Sequence, residues 1–319
     1  MFENIIIQDK IKKMLVNTLK NKQINHCYMF AGPQGTNKTA TAVEFIKGIL
    51  CNNYTEKKPC NKCVSCNKIN HNNHPDVIKI SPGETSIKIS QVRDMIRLMK
   101  VKPYESPYKF FLVEYTETMG IPAQNALLKS LEEPNKSVII ILICNSREKV
   151  LPTVLSRCQI IKFNPINKDE FNMIMRKQGI SEQNAGNYYD ITQGCIGKIQ
   201  YLLENPNVVI GFQVIKEFLV KIIKGQTYEI FNLSKWIKES KLSSKDITSF
   251  IIIILWEVLY DILISEESEE YIGSNLSGDM IHDIIIETAN IQSLLTNNIN
   301  LQLQIEYMLI KYWGGNINL

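Results

Sequence analysis

The sequence feature that most constrains the fold of this chain is a glycine-containing loop between an apolar strand and a helix. The apolar run 27–31 leads directly into Gly32-Pro-Gln-Gly-Thr-Asn-Lys-Thr39, and apolar residues then recur at helical spacing from Thr39 to Leu50. A phosphate-binding loop requires this order, because the backbone N–H groups at a helix N-terminus then face the anion. The residues expected to contact a nucleotide are Gly32, Gly35, Lys38 and Thr39.

The loop departs from the usual pattern at one position. Asn37 stands where a glycine normally precedes the lysine. Glycine adopts positive φ at little cost, and asparagine tolerates positive φ better than most other residues. Two interpretations follow: the loop binds ATP or ADP, or it is a relic that keeps its shape without a ligand.

Further apolar runs predict a parallel sheet with helices on both faces. They lie at 76–80, 110–113, 138–143 and 160–163, and amphipathic segments at 91–101 and 123–132 separate them. After Asn164-Pro165 the strand signals stop and apolar residues recur at helical spacing. We predict an α/β domain over 1–165, a small helical domain over 166–206 and a helical C-terminal domain over 207–319. The helices expected there cover 168–177, 182–190, 197–204, 227–238, 245–263, 280–296 and 301–313.

Composition indicates an ordinary globular protein. With 319 residues and 45% hydrophobic content, the chain can form two or three domains with buried cores. The first residues contain no basic segment followed by a long apolar one, so we expect no secretory signal and a cytoplasmic location. The apolar run 250–256 is too short to span a bilayer.

The net charge of the chain does not identify its function. A net charge of +4 permits contact with nucleic acid without demonstrating it. The acidic run 265–270 is interpreted as a solvated loop, because so many like charges would repel one another inside packed structure.

Four cysteines within sixteen residues predict a metal site inserted at 51–66. Cys60, Cys63 and Cys66 form two overlapping CxxC pairs, a spacing at which thiolates turn back onto one tetrahedral ion, and Cys51 supplies a fourth ligand. Structural Zn²⁺ is the favoured interpretation, and a disulfide pair or free thiols are the alternatives. The nearby His71 and His74 are left out of the ligand set. The remaining cysteines have apolar neighbours and are interpreted as small buried side chains: Cys27, Cys144, Cys158 and Cys195.

The end of the third strand argues against ATP hydrolysis. ATPases with such a loop usually carry Asp-Glu there, for magnesium and for the attacking water. This chain has Glu114-Tyr115 instead. Glu114 retains a carboxylate for the metal, but a phenol with an ordinary pKa of about 10 is a poor base at neutral pH.

Three strings carry a family resemblance. They are Leu151-Pro-Thr-Val-Leu-Ser-Arg-Cys158, Gln124-Asn-Ala-Leu-Leu-Lys-Ser-Leu-Glu-Glu-Pro134 and His26-Cys-Tyr-Met-Phe-Ala-Gly-Pro-Gln-Gly35. Together they resemble the clamp-loader branch of the AAA+ superfamily, and the cysteine spacing resembles the zinc knuckle of bacterial clamp-loader subunits. The resemblance is strong over about residues 1–165, moderate through the helical lid at 166–206, and limited to length and helicity in the C-terminal collar at 207–319.

The resemblance implies roles for individual residues. Arg157 would act in trans as an arginine finger beside ATP on a neighbouring subunit, where a rigid guanidinium stabilises charge on the γ-phosphate. Asn145 falls at the family's polar sensor position, and Lys198 falls where a second sensor arginine is usual. The altered loop and the Glu114-Tyr115 pair match the family's non-hydrolysing delta-prime class, the stator of the DNA polymerase III clamp loader.

The implied partners are ATPase subunits of the gamma/tau type, a delta subunit, the sliding clamp and primed DNA, with no membrane. Two other functions compete with this one. A self-sufficient AAA+ ATPase would use Lys38 and Thr39, and a zinc-containing nucleic-acid module would use the lysines around the cysteine cluster. The cluster carries few cations and almost no aromatic residues for base stacking, which disfavours the module.

Overall fold

A parallel sheet organises the first half of the chain. The computed structural model describes residues 5, 7–53, 59–83, 85–264, 277–295 and 300–313. Within these residues the sheet has five strands in the order β2-β3-β4-β1-β5, and all neighbouring strands pair in parallel. The strands are β1 (Cys27–Ala31), β2 (Val77–Ile80), β3 (Lys109–Val113), β4 (Val138–Cys144) and β5 (Gln159–Lys162).

Both faces of the central strands β1, β3 and β4 are buried, as their continuous apolar runs predict. Successive side chains of a strand point to opposite faces. In β1, Met29 joins one hydrophobic cluster, and Tyr28 and Phe30 join the other. Helices cover these faces: α1 (Asp9–Lys20), α2 (Lys38–Leu50), α3 (Val64–Asn70), α4 (Ile89–Met99), α5 (Ile121–Glu132) and α6 (Pro152–Leu155).

The chain divides into two compact units. The first comprises Met1–Phe171 and Gly194–Lys198, and the second comprises Asn172–Gln193 and Ile199–Leu319. The division falls inside α7 (Lys168–Lys177). The expected α/β class with a parallel sheet and a helical C-terminal part is therefore confirmed, whereas the separation of a lid at 166–206 from a collar at 207–319 stays a prediction.

The second unit is helical throughout its described residues and has one continuous apolar core. One helix of this unit, α10, was not delimited by the sequence pattern. It is 18 residues long and begins at Pro206, where the sequence predicted the end of the small helical domain. Proline favours the first turn of a helix, since its missing N–H would have no partner there. The helices are α8 (Glu182–Thr192), α9 (Ile199–Glu204), α10 (Pro206–Ile223), α11 (Glu229–Glu239), α12 (Ser244–Ile264), α13 (Gly278–Ser293) and α14 (Leu301–Trp313).

None of the helices in the described part of the chain combines the length and apolar character needed to span a membrane. The acidic run 265–270, expected to be a solvated loop, lies outside the described residues.

Candidate functional site

The phosphate-type loop connects β1 to α2 and keeps its turn despite the missing glycine. Asn37 is the N-cap of α2 and adopts φ 62°, the left-handed conformation in which asparagine is tolerated. Gly35 also has positive φ, at 88°. Gly32 is required for a different reason, since a Cβ there would collide with the carbonyl of Phe163.

The lysine of the loop is buried and bonded to the loop itself. Lys38 is 5% exposed, and its Nζ donates to the carbonyl oxygens of Gly32 and Pro33 at 2.6 Å each. Burial lowers the pKa of the Lys38 ammonium, and the nearby charge of Glu117 opposes this shift without reversing it. A phosphate binding here would compete with two backbone carbonyls for the ammonium.

A cavity of about 420 Å³ lies against this loop. It brings together five of the residues expected to bind nucleotide, because the carboxyl ends of β1, β3 and β4 meet at the same edge of the sheet. These five are Gly35, Lys38, Thr39, Glu114 and Asn145. Tyr115 also lines the cavity, is 41% exposed and adopts a left-handed conformation with φ 54°.

Lys198 lies beside the loop without lining the cavity. The N–H of Gly197 donates to the carbonyl of Gly35 at 2.7 Å, and a Cβ on Gly35 would lie only 2.8 Å from Cγ of Lys198. Gly35 is therefore needed for the close approach of the segment Gly194–Lys198 as well as for its own positive φ.

The residues of the loop fit an anion. No side-chain hydrogen bond caps the N-terminus of α2 at Asn37, and the first N–H groups of any helix lack intrahelical acceptors. Together with Lys38 they would hold the phosphates, and the Thr39 hydroxyl would hold the accompanying magnesium ion. A bound nucleoside triphosphate would supply a transferable γ-phosphoryl group.

Glu114 is already engaged by its neighbours. Its Oε2 accepts a hydrogen bond from Oγ of Ser81 at 2.8 Å and pairs with Nζ of Lys79 at 3.0 Å. Both contacts compete with a magnesium ion for the carboxylate, in addition to the changed reach of the longer side chain. The carboxylate of Glu114 therefore has a structural role in holding Ser81 and Lys79, whether or not it also contacts a ligand in the cavity.

Glu117 is a residue of this region that the sequence pattern did not reveal. It lies in the short 3₁₀ helix Thr116–Thr118 after β3, and its Oε1 accepts the backbone N–H of Asn145 at 3.1 Å. Its Oε2 is buried and accepts no hydrogen bond from the part of the chain that the structure describes. The available signal was an acid three residues after Glu114, just beyond β3, which neighbours β4.

The four clustered cysteines converge as their spacing predicts. The Sγ atoms of Cys51, Cys60, Cys63 and Cys66 all lie within 4.8 Å of one another, so they can hold one metal ion. A tetrahedral ion with metal–sulfur bonds of about 2.3 Å would hold its sulfurs about 3.8 Å apart. Cys51 is the C-cap of α2 and Cys63 is the N-cap of α3, so an ion would clip these two helices together.

Backbone N–H groups favour thiolates in the cluster. The amides of Lys62 and Cys63 donate to Sγ of Cys60 at 3.5 and 3.2 Å, and they lower the pKa of Cys60 to about 6. The amide of Cys66 likewise donates to Sγ of Cys63 at 3.5 Å. In contrast, burial raises the pKa of the Cys66 thiol. Such N–H···S bonds satisfy the sulfurs and orient them as ligands.

Arg157 lies just after the C-terminus of α6, at the rim of the sheet as the sequence predicts. Its Nη2 pairs with Oε1 of Glu132 at 2.6 Å, and its Nη1 donates to the carbonyl of Thr153 at 2.8 Å. The start of α6 is fixed by Gln124, which is 2% exposed and accepts the N–H of Leu151 at 2.8 Å. The backbone that carries Arg157 is therefore well held, while the guanidinium reaches the surface with its side chain 32% exposed.

Comparisons with known proteins point to replication proteins. Residues 7–167, about half of the chain, match the family model described as DNA polymerase III, delta subunit. The tau subunit of DNA polymerase III from Bacillus subtilis is 35% identical over 182 residues, which cover 57% of this chain and 32% of that protein. The delta-prime subunit from Bacillus subtilis is 31% identical over 179 residues, which cover 56% of this chain and 54% of that protein. The matched region thus spans between a third and about half of these relatives.

A solved structure supports the fold over nearly the full length. A DNA polymerase III gamma subunit-related protein from Thermotoga maritima superposes with a TM-score of 0.51 at 18% identity. The match covers 94% of this chain and 98% of that one. At this identity the likeness concerns the fold alone.

Proposed function

Because the chain belongs to the clamp-loader family of AAA+ proteins, we propose that it is a delta-prime-type subunit of a bacterial DNA polymerase III clamp loader. In this role it works in the cytoplasm with ATPase subunits of the gamma/tau type and a delta subunit. The assembly loads the sliding clamp onto primed DNA at the expense of ATP. The helical segment 207–319 contributes the collar that joins sister subunits, and 166–206 is the lid.

The observation that carries this proposal is the state of Arg157. The arginine lies on a fixed turn and its guanidinium reaches solvent, where its ionic partner is Glu132, a side chain that is itself 50% exposed. An exposed ion pair contributes little free energy, so a phosphate group can replace the carboxylate. A planar, permanently charged guanidinium then stabilises charge on a γ-phosphate bound by a neighbouring subunit.

The same chain is proposed not to hydrolyse ATP by itself. Tyr115 replaces the carboxylate that would orient water, and Glu114 is engaged by Ser81 and Lys79. Nucleotide binding without turnover is compatible with the cavity and with Lys38. In the assembly, the chain supplies an arginine to a neighbour's chemistry and does none of its own.

Substitution of Arg157 in a reconstituted assembly tests the function. With Arg157→Ala we expect the DNA-stimulated rate of ATP hydrolysis at the adjoining site to fall on the order of 10³-fold. The total rate of the assembly should fall by the share of that site, measured by phosphate release. Gel filtration checks that the variant still assembles. An assembled variant with the normal rate would refute the role in trans.

A self-sufficient ATPase is the competing function, and it draws on Lys38 and the 420 Å³ cavity. It requires turnover by the isolated chain that a Lys38→Ala variant lacks. We expect the two proteins to show the same background rate, with nucleotide bound or not. Turnover of the isolated wild-type chain well above that variant would favour the competing function.

We further propose that the cysteine cluster holds one Zn²⁺ as a structural ion. The purified protein should contain about one zinc per chain by mass spectrometry of the metal, and Cys60→Ser should lose it and melt at a lower temperature. Cys195→Ser, a substitution outside the cluster, is the matched control and should keep its zinc. Full zinc content in the Cys60→Ser protein would contradict the assignment of the ligands.

A further inference from the structure

Two thiols outside the metal cluster lie side by side at one end of the sheet. The Sγ atoms of Cys27 and Cys158 are 3.0 Å apart, although 131 positions separate the two residues in the chain. Cys27 begins β1, and Cys158 directly precedes β5. These strands pair in parallel with Tyr28 opposite Gln159, so the two cysteines stand next to each other one position earlier.

The backbone geometry suits a disulfide. Neighbouring strands lie about 4.7–4.9 Å apart, and a disulfide requires Cα atoms about 4.4–6.8 Å apart. The Sγ atoms are already in contact at 3.0 Å, so formation of the bond requires a further approach of about 1 Å. No disulfide joins these two cysteines in this structure.

The two thiols differ in access to solvent. Cys27 is 1% exposed, whereas Cys158 is half-buried and its thiol donates to the carbonyl of Val154 at 3.2 Å. The contact with Cys158, reinforced by burial, raises the pKa of the Cys27 thiol well above its ordinary value. Cys158 is therefore the sulfur that a small oxidant in solution reaches first, and the sulfur of Cys27, 3.0 Å away, lies within reach of the oxidised product.

We propose that Cys27 and Cys158 form a reversible disulfide site that responds to hydroperoxides and displaces the turn carrying Arg157. In the first step the thiolate of Cys158 attacks a peroxide oxygen, the O–O bond breaks, and a sulfenic acid and water form. In the second step the sulfur of Cys27 attacks the sulfenic sulfur, the S–S bond forms, and the hydroxyl leaves as water. Two thiols and one hydrogen peroxide thus give one disulfide and two waters, and a dithiol reductant returns two electrons and two protons.

The site acts on Arg157 because the arginine is the residue directly before Cys158. An S–S bond is about 2.05 Å long, so the sulfurs must approach by about 1 Å. This movement draws Cys158 toward β1 and strains its hydrogen bond to Val154, within the turn that positions Arg157. Displacements of about 1 Å can lower a rate by about 10²-fold when they misplace a catalytic group. The effect on hydrolysis rests on the proposed role of Arg157, whereas formation of the disulfide does not.

Peptide mapping of the full-length, metal-loaded protein tests the disulfide. After treatment with one equivalent of hydrogen peroxide, denaturation and alkylation, trypsin should yield peptide 23–38 linked to peptide 158–162. The link should disappear on reduction and be absent from Cys27→Ala and Cys158→Ser, while Cys195→Ser retains it. Sulfinic acid on Cys158 without the linked peptide, or links from Cys158 to the clustered cysteines instead, would overturn the proposal.

The rate of the reconstituted assembly tests the effect on Arg157. Oxidised wild-type chain should lower hydrolysis at the adjoining site about tenfold or more, with recovery after reduction, and the Cys27→Ala chain should respond to neither treatment. A linked peptide with an unchanged rate would overturn the coupling to Arg157, provided that Arg157→Ala lowers the rate of the reduced assembly. If Arg157→Ala has no effect, the proposed function fails, and the linked peptide alone decides whether the disulfide site exists.

Discussion

The α/β unit holds two cations, Lys38 and Arg157, in opposite ways. Lys38 is buried and donates to two backbone carbonyls of its own loop, at 2.6 Å each. Arg157 has a side chain that is 32% exposed, and its ionic partner Glu132 is exposed as well. To meet a phosphate, Lys38 must leave two acceptors in a buried site, whereas Arg157 can exchange the exposed carboxylate of Glu132 for another anion while Nη1 keeps its bond to the carbonyl of Thr153.

The phosphate-type loop around Lys38 is therefore less available to a phosphate than the turn that carries Arg157. The loop around Lys38 has the shape of a nucleotide site, but its carboxylate partners are altered or engaged. The turn around Arg157 is short, and its guanidinium reaches the surface, where an external phosphate can replace the carboxylate of Glu132. Such an arrangement favours a chain that contributes an arginine to the ATP site of a neighbouring subunit over one that hydrolyses ATP in its own loop.

After Arg157→Ala, the largest effect is expected for Arg157→Lys, which keeps the positive charge and removes the forked pair of N–H groups. Lysine places a point charge where two N–H groups of a guanidinium would bond the phosphate together. We expect hydrolysis at the adjoining site to fall on the order of 10²-fold, less than for Arg157→Ala, measured by phosphate release.

The control for this substitution is Glu132→Gln, which removes the ionic partner of Arg157 and leaves the arginine itself unchanged. Its rate should stay within about twofold of the wild type, because an exposed ion pair contributes less than about 1 kcal/mol. A wild-type rate for Arg157→Lys would show that charge alone suffices and that fork geometry is irrelevant at this position.

A stability variant far from either cation separates loss of function from loss of folding. Asp76 is fully buried and accepts backbone N–H groups of Tyr104, Glu105 and Ser106 at 2.6, 2.9 and 3.0 Å. Asp76→Asn should lower the free energy of unfolding by about 2 kcal/mol in urea titrations, since an amide cannot accept all of these bonds. The rate of the assembly should remain unchanged. An exposed substitution, Asp94→Asn, is the control and should alter stability little.

The pH dependence of the same variant has a definite sign. Burial alone would raise the pKa of Asp76, but the hydrogen bonds from the 104–106 backbone and from Oγ of Ser106 outweigh it and lower the pKa. Its stabilising contribution is therefore complete above the unfolded value of about 3.9 and is lost as pH falls through the lower folded value. The difference in stability between wild type and Asp76→Asn should be constant near neutrality and shrink below about pH 4. A difference that grows at acidic pH would contradict the lowered pKa.

The smallest effect on hydrolysis is expected for Lys38→Met. This substitution tests directly whether Lys38 is less available to a phosphate than Arg157. Methionine keeps the length of the side chain and removes the ammonium, whose bonds to Gly32 and Pro33 are partly offset by its desolvation. We expect a loss of about 1 kcal/mol in unfolding free energy and an assembly rate within about twofold of the wild type. A loss of rate comparable with that of Arg157→Ala would mean that the chain's own loop takes part in hydrolysis.

Local features were predictable from the sequence alone. The positive φ of Asn37 follows from the chemistry of one residue, and the convergence of Cys60, Cys63 and Cys66 follows from a spacing of three. The position of Arg157 at a helix end also followed, because Leu151-Pro152 begins a short helix between two buried strands. Each of these depends on contacts between residues close together in the chain.

Contacts between distant segments could not be predicted in the same way. Glu117 bonds the backbone of Asn145 because β3 and β4 are neighbours, and Glu132 pairs with Arg157 because α5 ends near the turn after α6. Cys27 was interpreted as one more buried small side chain, and nothing in its surroundings in the sequence points to Cys158. The sequence therefore shows which residue types are present but does not show which distant residue each of them contacts.

Residue spacing and backbone preference act over a few positions, and they were sufficient to predict the strands of the sheet, the glycine loop and the cysteine cluster. The structure was needed to show that Glu117 contacts the backbone of Asn145, that Arg157 pairs with Glu132, and that the thiols of Cys27 and Cys158 meet at one end of β1 and β5. Those outcomes depend on the strand order β2-β3-β4-β1-β5 and its register, which brings residues more than a hundred positions apart to adjacent places. A parallel sheet sets that register through long crossovers, so no local pattern in the chain encodes it.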